Sequence, residues 1–256
     1  MSSKIAIVTG ASQGIGRATA VRLARDFDSI VLVARDRANL EQTAIEVKNA
    51  GAQSLVIAAD LSQADAARQV VEQTLATFGR IDALLNIAGA VPQIDVLEMT
   101  DEQWDKGLAL KLHGARRLTI AAWPSLMESS GSVVLMSGNS ALFPKAPYAA
   151  VGTINAAIVA LAKAFSDRGI ADGVQVNSVL PGAVMTGRRR SYLEHWAPLH
   201  NMSVEEATAK FPVEVGISRY GTPEEIAELM AFIVSPAARW MTGSALRMDG
   251  GEVKST

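Results

Sequence analysis

Short runs of apolar residues alternate with longer segments of helical periodicity along most of the chain. The apolar runs that predict strands lie at 4–9, 29–34, 54–59, 81–86, 132–137, 174–180 and 245–249. The segments that predict helices lie at 15–27, 36–50, 63–78, 101–127, 147–165 and 223–234. The first of these places Ala20, Leu23 and Phe27 on one face, as an amphipathic helix requires.

The predicted strands are apolar at every position rather than at alternate positions. This pattern is typical of a parallel sheet that helices cover on both faces. With right-handed crossovers, alternating strands and helices build a doubly wound, Rossmann-type α/β sheet. No linker, repeat or low-complexity segment interrupts the 256 residues, so the sequence predicts one domain over residues 1–256.

Composition narrows the classes of function. The chain is 49% hydrophobic and 20% charged, with a formal net charge of −2, which gives no reason to expect nucleic acid or an anionic membrane as a partner. It contains no cysteine, which excludes disulfides and thiolate catalysis, and its histidines form no close metal-binding motif. A strand begins almost at the first residue, and no uninterrupted apolar run approaches about 18 residues, so we expect a cytoplasmic protein.

A glycine-rich turn joins the first predicted strand to the first predicted helix. The segment TGASQGIG, at 9–16, places glycines at positions 10, 14 and 16. Such a turn lets backbone N–H groups approach a diphosphate, and the helix dipole favours the anion. Because the motif follows strand one and opens helix one, it predicts dinucleotide binding rather than a tight turn alone.

The end of the second strand indicates which dinucleotide binds. Ala34 stands where a carboxylate would hold the ribose of NAD, and Arg35 follows it. Arginine matches the 2′-phosphate of NADP through charge-assisted hydrogen bonds. The sequence therefore favours NADP(H) as the cofactor. Because Asp36 is an alternative partner for Arg35, NAD(H) stays open.

Together with four further motifs, the glycine turn resembles the short-chain dehydrogenase/reductase family over essentially the whole chain. The four are DLS at 60–62, NIAG at 86–89, NSVLPGAVMT at 177–186, and RYGTPEEIA to MTGSALRMDGG at 219–251. The resemblance implies carbonyl–alcohol redox chemistry with NAD(P)(H), a small-molecule substrate, and assembly as a homodimer or homotetramer. It also implies cofactor contacts at Asp60, Leu61, Asn86, Ala88, Gly89, Pro181, Gly182, Val184 and Thr186. These join the cofactor-binding residues predicted from the glycine turn and the end of strand two, which are Gly10, Ser12, Gln13, Gly14, Ile15, Gly16 and Arg35.

The resemblance breaks down at the positions that carry the family's proton chemistry. The family uses an asparagine on the fourth helix, a serine after the fifth strand, and a Tyr-x-x-x-Lys pair opening the fifth helix. Lys111 stands at the asparagine position. Matching NAAIVALAKA, at 155–164, to the family's helix places Val151 and Asn155 at the tyrosine and lysine positions, with Gly138 at the serine position.

A second alignment takes Tyr148 as the tyrosine, which places Gly152 at the lysine position. The first alignment is favoured because it keeps the usual spacing of thirteen residues from serine to tyrosine. In both alignments the lysine of the fifth helix is missing.

Two interpretations follow. In the first, an enzyme keeps redox activity with a relocated site, and the candidate catalytic residues are Lys111 and Tyr148, with Ser137 or Ser140 as a further source of a hydroxyl. In the second, the chain binds the cofactor without turnover and acts as a partner subunit or sensor, because neither valine nor glycine can transfer a proton.

Residues 187–215 stand where the family has its substrate-binding lid. The candidates to bind a carboxylate or phosphate are Arg188, Arg189 and Arg190. The candidates to line an apolar pocket are Tyr192, Trp196, Met202 and Phe211. A solvated basic face and packing within the lid explain the same residues, so the sequence names no substrate. Ser203 and Glu206 predict a capping box at a helix start.

Overall fold

A computed structural model describes residues 3–255 of the chain, within which lie seven strands and nine α-helices. The strands are β1 Ile5–Thr9, β2 Ser29–Ala34, β3 Gln53–Ala58, β4 Ala83–Asn86, β5 Ser132–Met136, β6 Gln175–Pro181 and β7 Ala245–Met248. The helices are α1 Gly14–Leu23, α2 Arg37–Asn49, α3 Ala66–Phe78, α4 Asp101–Gly107, α5 Ala115–Ser129, α6 Ala149–Asp172, α7 Gly187–Leu199, α8 Val204–Val215 and α9 Pro223–Ile233.

The seven strands form one parallel sheet in the order β3-β2-β1-β4-β5-β6-β7. The predicted single-domain, doubly wound Rossmann-type fold is confirmed. The strand order reverses between β1 and β4, where Val8 of β1 is paired with Leu32 on one side and Leu85 on the other. In an open parallel sheet, such a reversal leaves a crevice at the carboxyl ends of the strands, so it determines where a ligand can bind.

Both faces of the sheet are buried, which explains why the strands are apolar throughout. On one face, Ile7 and Leu84 pack in the same core cluster as Val70 of α3 and Leu118 of α5. On the other face, Val8 packs in a cluster with residues of α1, α2 and α9. Successive strand residues point to opposite faces, so a sheet with two apolar layers requires apolar residues at every position.

The predicted helix at 101–127 is interrupted. A π-helical turn, Leu108–Gly114, separates α4 from α5. A π turn adds a residue to the helical repeat, and such turns are frequently found at functional sites. Here it carries Lys111, one of the two candidate catalytic residues.

Helix α6 is long and apolar enough, by length and composition, to cross a membrane. It lies instead against the sheet, where Ile158 and Ala162 are buried in the core cluster that contains Val133 and Val176. Burial in the core of the domain therefore accounts for part of the apolar composition of α6, whereas Ile170 stays exposed.

The segment after β6 forms two helices, α7 and α8. The capping box predicted for α8 is present: the backbone N–H of Glu206 donates to Ser203 Oγ over 3.1 Å, and the backbone N–H of Ser203 donates to Glu206 Oε2 over 2.8 Å. Helix α7 is absent from the sequence expectations, because its buried residues, Leu193 and Ala197, are too few to produce a clear apolar periodicity.

Candidate active site

A cleft of about 1030 Å³ opens at the strand-order reversal. Its walls come from the glycine turn, the ends of β2 and β3, the loop after β4, the helix around Leu110 and the start of α7. The predicted cofactor residues that line it are Gly10, Ser12, Gln13, Gly14, Ile15, Gly16, Arg35, Leu61, Ala88, Gly89 and Thr186. The structure thus brings into one cleft residues from four of the sequence motifs.

The glycine turn has a geometry that only glycine permits at two positions. Gly10 has φ +68°, in the left-handed region. A Cβ on Gly16 would lie 2.1 Å from the carbonyl oxygen of Gly10, closer than any side chain can approach. Gln13, the N-cap of α1, supplies no side-chain hydrogen bond to the first turn. The first N–H groups of α1 therefore keep their capacity to bind an anion in the cleft.

Arg35 lies at the end of β2, in the wall of the cleft, and its side chain is exposed. Asp36 does not pair with it. The Asp36 carboxylate caps α2 by accepting from the backbone N–H of Asn39 over 3.0 Å and from the Asn39 amide over 2.6 Å. Within residues 3–255, Arg35 forms no ion pair, whereas Arg37 pairs with Glu41. Asp36, the alternative partner for Arg35, is therefore already hydrogen-bonded to Asn39.

Two of the predicted cofactor residues, Asp60 and Asn86, are not among those that line the cleft. Asp60 accepts from the backbone N–H and the hydroxyl of Ser62, which shapes the turn after β3. Asn86, at the end of β4, is buried; its amide donates to Thr119 Oγ1 over 3.1 Å, and its Oδ1 has no partner among the described residues. Asp60 and Asn86 therefore stabilise the turn after β3 and the end of β4, which lead into the residues of the cleft wall.

Three predicted residues at the end of β6 and just after it are also not among those that line the cleft. Pro181 ends β6, and a Cβ on Gly182 would lie 2.6 Å from Asp249 Cα, so this glycine allows the close approach of the chain after β7. Val184 is buried and bridges to Gly221. These residues place Thr186, which caps α7 by accepting from the backbone N–H of Arg189, at the edge of the cleft.

Lys111 and Asn155 meet across the space between the π turn and α6. The Lys111 amine donates to the carbonyl oxygen of Ser137 over 3.1 Å and to the amide oxygen of Asn155. Its aliphatic chain lies against Gly89 of the cleft wall, since a Cβ there would be 3.0 Å from Lys111 Cδ. Burial of the amine, together with the nearby Arg188 guanidinium, lowers the pKa of Lys111 to about 7.

Asn155 is held by further hydrogen bonds. Its amide nitrogen donates to Ser140 Oγ over 2.8 Å, and its backbone carbonyl accepts from Ser137 Oγ over 2.7 Å. Gly138 leaves the space that this arrangement needs, because a Cβ there would lie 2.6 Å from the Asn155 amide nitrogen. Lys111, Asn155, Ser137 and Ser140 therefore form one connected network beside the cleft.

Val151 and Tyr148 stand apart from this network. Val151 is partly buried in a small apolar cluster with Val91, Ala150 and Ile154. Tyr148 precedes α6 and is also partly buried; burial and then the charge of Glu252 raise the pKa of its phenol. A raised pKa makes a phenol a weaker acid, which is the opposite of what acid–base chemistry near neutral pH requires.

The lid residues divide into two groups. Arg188 lies in the cleft wall, whereas the Arg189 guanidinium lies over the rings of Phe211, at 4.7 Å, and Tyr192, at 5.6 Å. Trp196 and Met202 pack with the buried residues of α7 and α8. The apolar residues of the segment thus mainly hold the two helices together.

Sequence reasoning missed part of the wall, namely Asn39, Val91, Pro92, Lys106, Leu110 and Met136. Lys106 and Leu110 are four residues apart, which is the spacing that places two side chains on one helical face. That spacing is the feature from which this pair could have been recognised.

Comparison with known proteins identifies the family of this fold and cleft. A family model described as enoyl-(acyl carrier protein) reductase matches residues 10–252. The chain belongs to the short-chain dehydrogenase/reductase family. A putative ketoacyl reductase of Streptomyces coelicolor is 31% identical over 255 residues, covering 97% of each chain. The family resemblance that the motifs indicated is confirmed, and so is the prediction that the protein is an oxidoreductase of this family.

Two solved structures of this short-chain dehydrogenase/reductase fold are similar over nearly their whole length. L-Sorbose reductase from Gluconobacter frateurii, complexed with NADPH and L-sorbose, superimposes with a TM-score of 0.95 at 28% identity, covering 100% of this chain and 98% of that one. A single-residue variant of actinorhodin polyketide ketoreductase, with NADPH, superimposes with a TM-score of 0.92 at 29% identity, covering 98% and 97%.

Proposed function

We propose that this short-chain dehydrogenase/reductase is an NADP(H)-dependent carbonyl reductase in which Lys111 is the proton donor. The observation that carries the proposal is the pair of hydrogen bonds from the Lys111 amine to Ser137 and Asn155, which fix the amine while its aliphatic chain lies against Gly89 of the cleft wall. A lysine whose pKa is about 7 is divided between its two protonation states near neutral pH, as a general acid–base group requires.

The cleft has the features that NADP(H) needs. The glycine turn and the uncapped start of α1 suit the diphosphate, and Arg35, free of ion pairs within residues 3–255, suits the 2′-phosphate. The two solved structures compared above, both of proteins similar to this chain, contain NADPH. When bound, NADPH supplies a hydride. Lys111, held by Ser137 and Asn155, then supplies the proton for the carbonyl oxygen.

In this proposal, Lys111, Gly138, Val151 and Asn155 replace the asparagine, serine, tyrosine and lysine that the family uses. Lysine and asparagine have exchanged helices, and the Lys111–Asn155 hydrogen bond supports this exchange, because the two side chains still meet. Residues 187–215 act as the substrate lid, with α7 starting at the cleft edge. The proposal makes Tyr148 dispensable.

The second candidate function is cofactor binding without turnover, as a partner subunit or sensor. It is favoured by Val151, which presents only methyl groups, and by Gly138, which has no side chain to orient a substrate oxygen. Both functions require the same cofactor cleft.

Two measurements separate these functions. Fluorescence or calorimetric titration with NADPH comes first, and an absence of binding at millimolar cofactor contradicts both. A panel of ketones, aldehydes and alcohols then decides between them. Turnover that is lost in Lys111→Met supports the reductase, whereas cofactor binding with no turnover on any compound supports the sensor or partner subunit.

Assembly as a homodimer or homotetramer in the cytoplasm is part of the same proposal. Ile120 and Met127 of α5 and Ile170 of α6 are large apolar side chains that are 51%, 41% and 71% exposed. Contact with a second copy of the chain would cover them. Light scattering coupled to size exclusion tests this assembly, and a monomer at micromolar concentration contradicts it.

A further inference from the structure

Arg188 crosses the cleft on the side away from Arg35. From the first turn of α7, its guanidinium donates to the carbonyl oxygens of Gly89, over 3.3 Å, and Val91, over 3.0 Å, in the loop after β4. Both acceptors are neutral. Among residues 3–255 no carboxylate forms an ion pair with Arg188, and burial followed by the charge of Arg189 lowers its pKa.

Other cations lie near Arg188. Helix α4 packs on the loop that Arg188 binds, since a Cβ on Gly107 would be 3.2 Å from Val91 Cγ1. The preceding residue, Lys106, lines the cleft. Lys111 is close enough for Arg188 to lower its pKa. In the described part of the chain, neither lysine forms an ion pair.

Acidic side chains are absent from this side of the wall over the range 3–255. The one carboxylate in the wall is Asp36, which lies at the β2 end and is occupied by Asn39. Glu252 lies outside the wall and accepts from the Asn139 amide over 2.7 Å and from the backbone N–H of Ala183 over 3.2 Å. The positive charge of Arg188 and Lys106 is therefore not neutralised by the protein.

Uncompensated cations in a low-dielectric cleft concentrate anions, and a guanidinium binds carboxylate and phosphate oxygens in a bidentate manner. The anionic groups of the cofactor suit other parts of the cleft: the glycine turn for the diphosphate and Arg35 for the 2′-phosphate. Thr186 lies beside Gly14, with its Cγ2 3.5 Å from the position of a Cβ there, and Arg188 reaches from this point to the opposite wall.

We propose that Arg188, with Lys106, binds an anionic group of the substrate, so that this reductase acts on small carbonyl compounds that carry a carboxylate or a phosphate. The proposal rests on the proposed function and deepens it by naming a substrate class. Binding exchanges the contacts of Arg188 with Gly89 and Val91 for contacts with the anion, and places the carbonyl of the substrate near the Lys111 side of the cleft.

The test uses pairs of compounds that differ in one charged group: 2-oxobutanoate with its methyl ester, and dihydroxyacetone phosphate with dihydroxyacetone. Calorimetry with the NADP⁺-loaded protein measures binding without turnover. We expect the charged member of at least one pair to bind about tenfold or more tightly than its neutral partner, and the two pairs distinguish carboxylate from phosphate.

Arg188→Gln should abolish this preference, because glutamine can still donate to the carbonyls of the loop but carries no charge. Arg188→Lys should keep part of it. Arg190→Gln, on the same helix and outside the cleft wall, is the matched control and should keep all of it. Thermal denaturation of each variant shows whether it is folded.

The proposal is overturned if the charged and neutral members of both pairs bind equally, or if the preference for the charged member survives Arg188→Gln. It is also overturned if Arg188→Gln weakens the binding of NADP⁺ alone and leaves the binding of the charged compounds unchanged. If NADP⁺ does not bind the unmodified protein, the proposed function fails. The same compounds are then titrated into the cofactor-free protein, where a preference that depends on Arg188 still supports the anion site and its absence contradicts it.

Discussion

The amine of Lys111 donates a hydrogen bond to the amide oxygen of Asn155, and so joins the π turn to α6. Asn155 is in turn fixed by Ser140, and Ser137 accepts from Lys111 and donates to the backbone of Asn155. A network with this many internal bonds restrains the lysine to one position. Because the amine has one defined position, substituting Lys111 tests whether the proton donor has moved to this residue.

Replacing Lys111 with methionine keeps the length of the side chain and removes the amine. We expect kcat/KM for carbonyl reduction to fall by ~10²–10⁴, the usual contribution of a general acid. NADPH binding should change little, since Lys111 is not among the residues that line the cleft and only its aliphatic chain lies against Gly89 of the wall. Steady-state kinetics and NADPH titration of the same preparation measure both quantities.

Tyr148→Phe is the matched comparison for Lys111→Met. Because burial and Glu252 raise the pKa of Tyr148, its phenol is a poor acid near neutral pH, and removal of the hydroxyl should alter kcat/KM by less than about threefold. A large loss in Tyr148→Phe, with activity retained in Lys111→Met, would reverse the assignment of the proton donor.

The pH dependence of activity should follow the pKa of Lys111, about 7. Reduction needs the ammonium form, so its kcat/KM should be level below pH 7 and fall tenfold per pH unit above it. Alcohol oxidation needs the neutral amine and should show the opposite profile. Rates in both directions between about pH 5.5 and 9.5 check the sign, and a reduction rate that rises with pH contradicts it.

The same pKa shift predicts how stability changes with pH. The folded state loses the Lys111 proton near pH 7, whereas the unfolded state keeps it up to 10.5. Between these values the unfolded state binds more protons, so the free energy of unfolding contributed by Lys111 rises with pH. Below pH 7 the unfavourable effect of the buried charge is fully present. Relative to Lys111→Met, the wild-type melting temperature should therefore rise from about pH 7 to about pH 10.

Arg35→Ala should reduce the preference for NADPH over NADH. A charged hydrogen bond to phosphate contributes about 1.5–3 kcal/mol, so the ratio of the two dissociation constants should shift by about tenfold or more. Arg37→Ala is the control, because Arg37 pairs with Glu41 and does not line the cleft. An unchanged ratio in Arg35→Ala would show that another residue selects the cofactor.

Gly138→Ala should disturb the Lys111 network by displacing the Asn155 amide, which lies 2.6 Å from the added Cβ. The φ angle of 171° is ordinary extended backbone, so the effect is steric. We expect a loss of ~1–3 kcal/mol in the free energy of unfolding. Gly187→Ala is the control, since no atom lies within 4 Å of its Cβ position. Urea denaturation compares the two, and equal stability would mean that Asn155 moves without cost.

Much of this protein is determined by local sequence. The apolar runs at 29–34 and 132–137 became β2 and β5, and the parallel sheet followed from their lack of alternation. The glycine turn could be recognised because Gly10 and Gly16 satisfy steric requirements within one short segment. These features depend on residues that are close together in the chain. Sequence periodicity and turn chemistry describe such local relationships, so they are sufficient to predict these features.

Other features were decided only by the tertiary structure. Arg188 bonds to Gly89, 99 residues away, and Lys111 bonds to Asn155, 44 residues away. The sequence placed the latter two on separate helices, and the fold made them partners. Hydrogen bonds and the burial that shifts a pKa arise between segments that the fold brings together, and no local pattern encodes that juxtaposition.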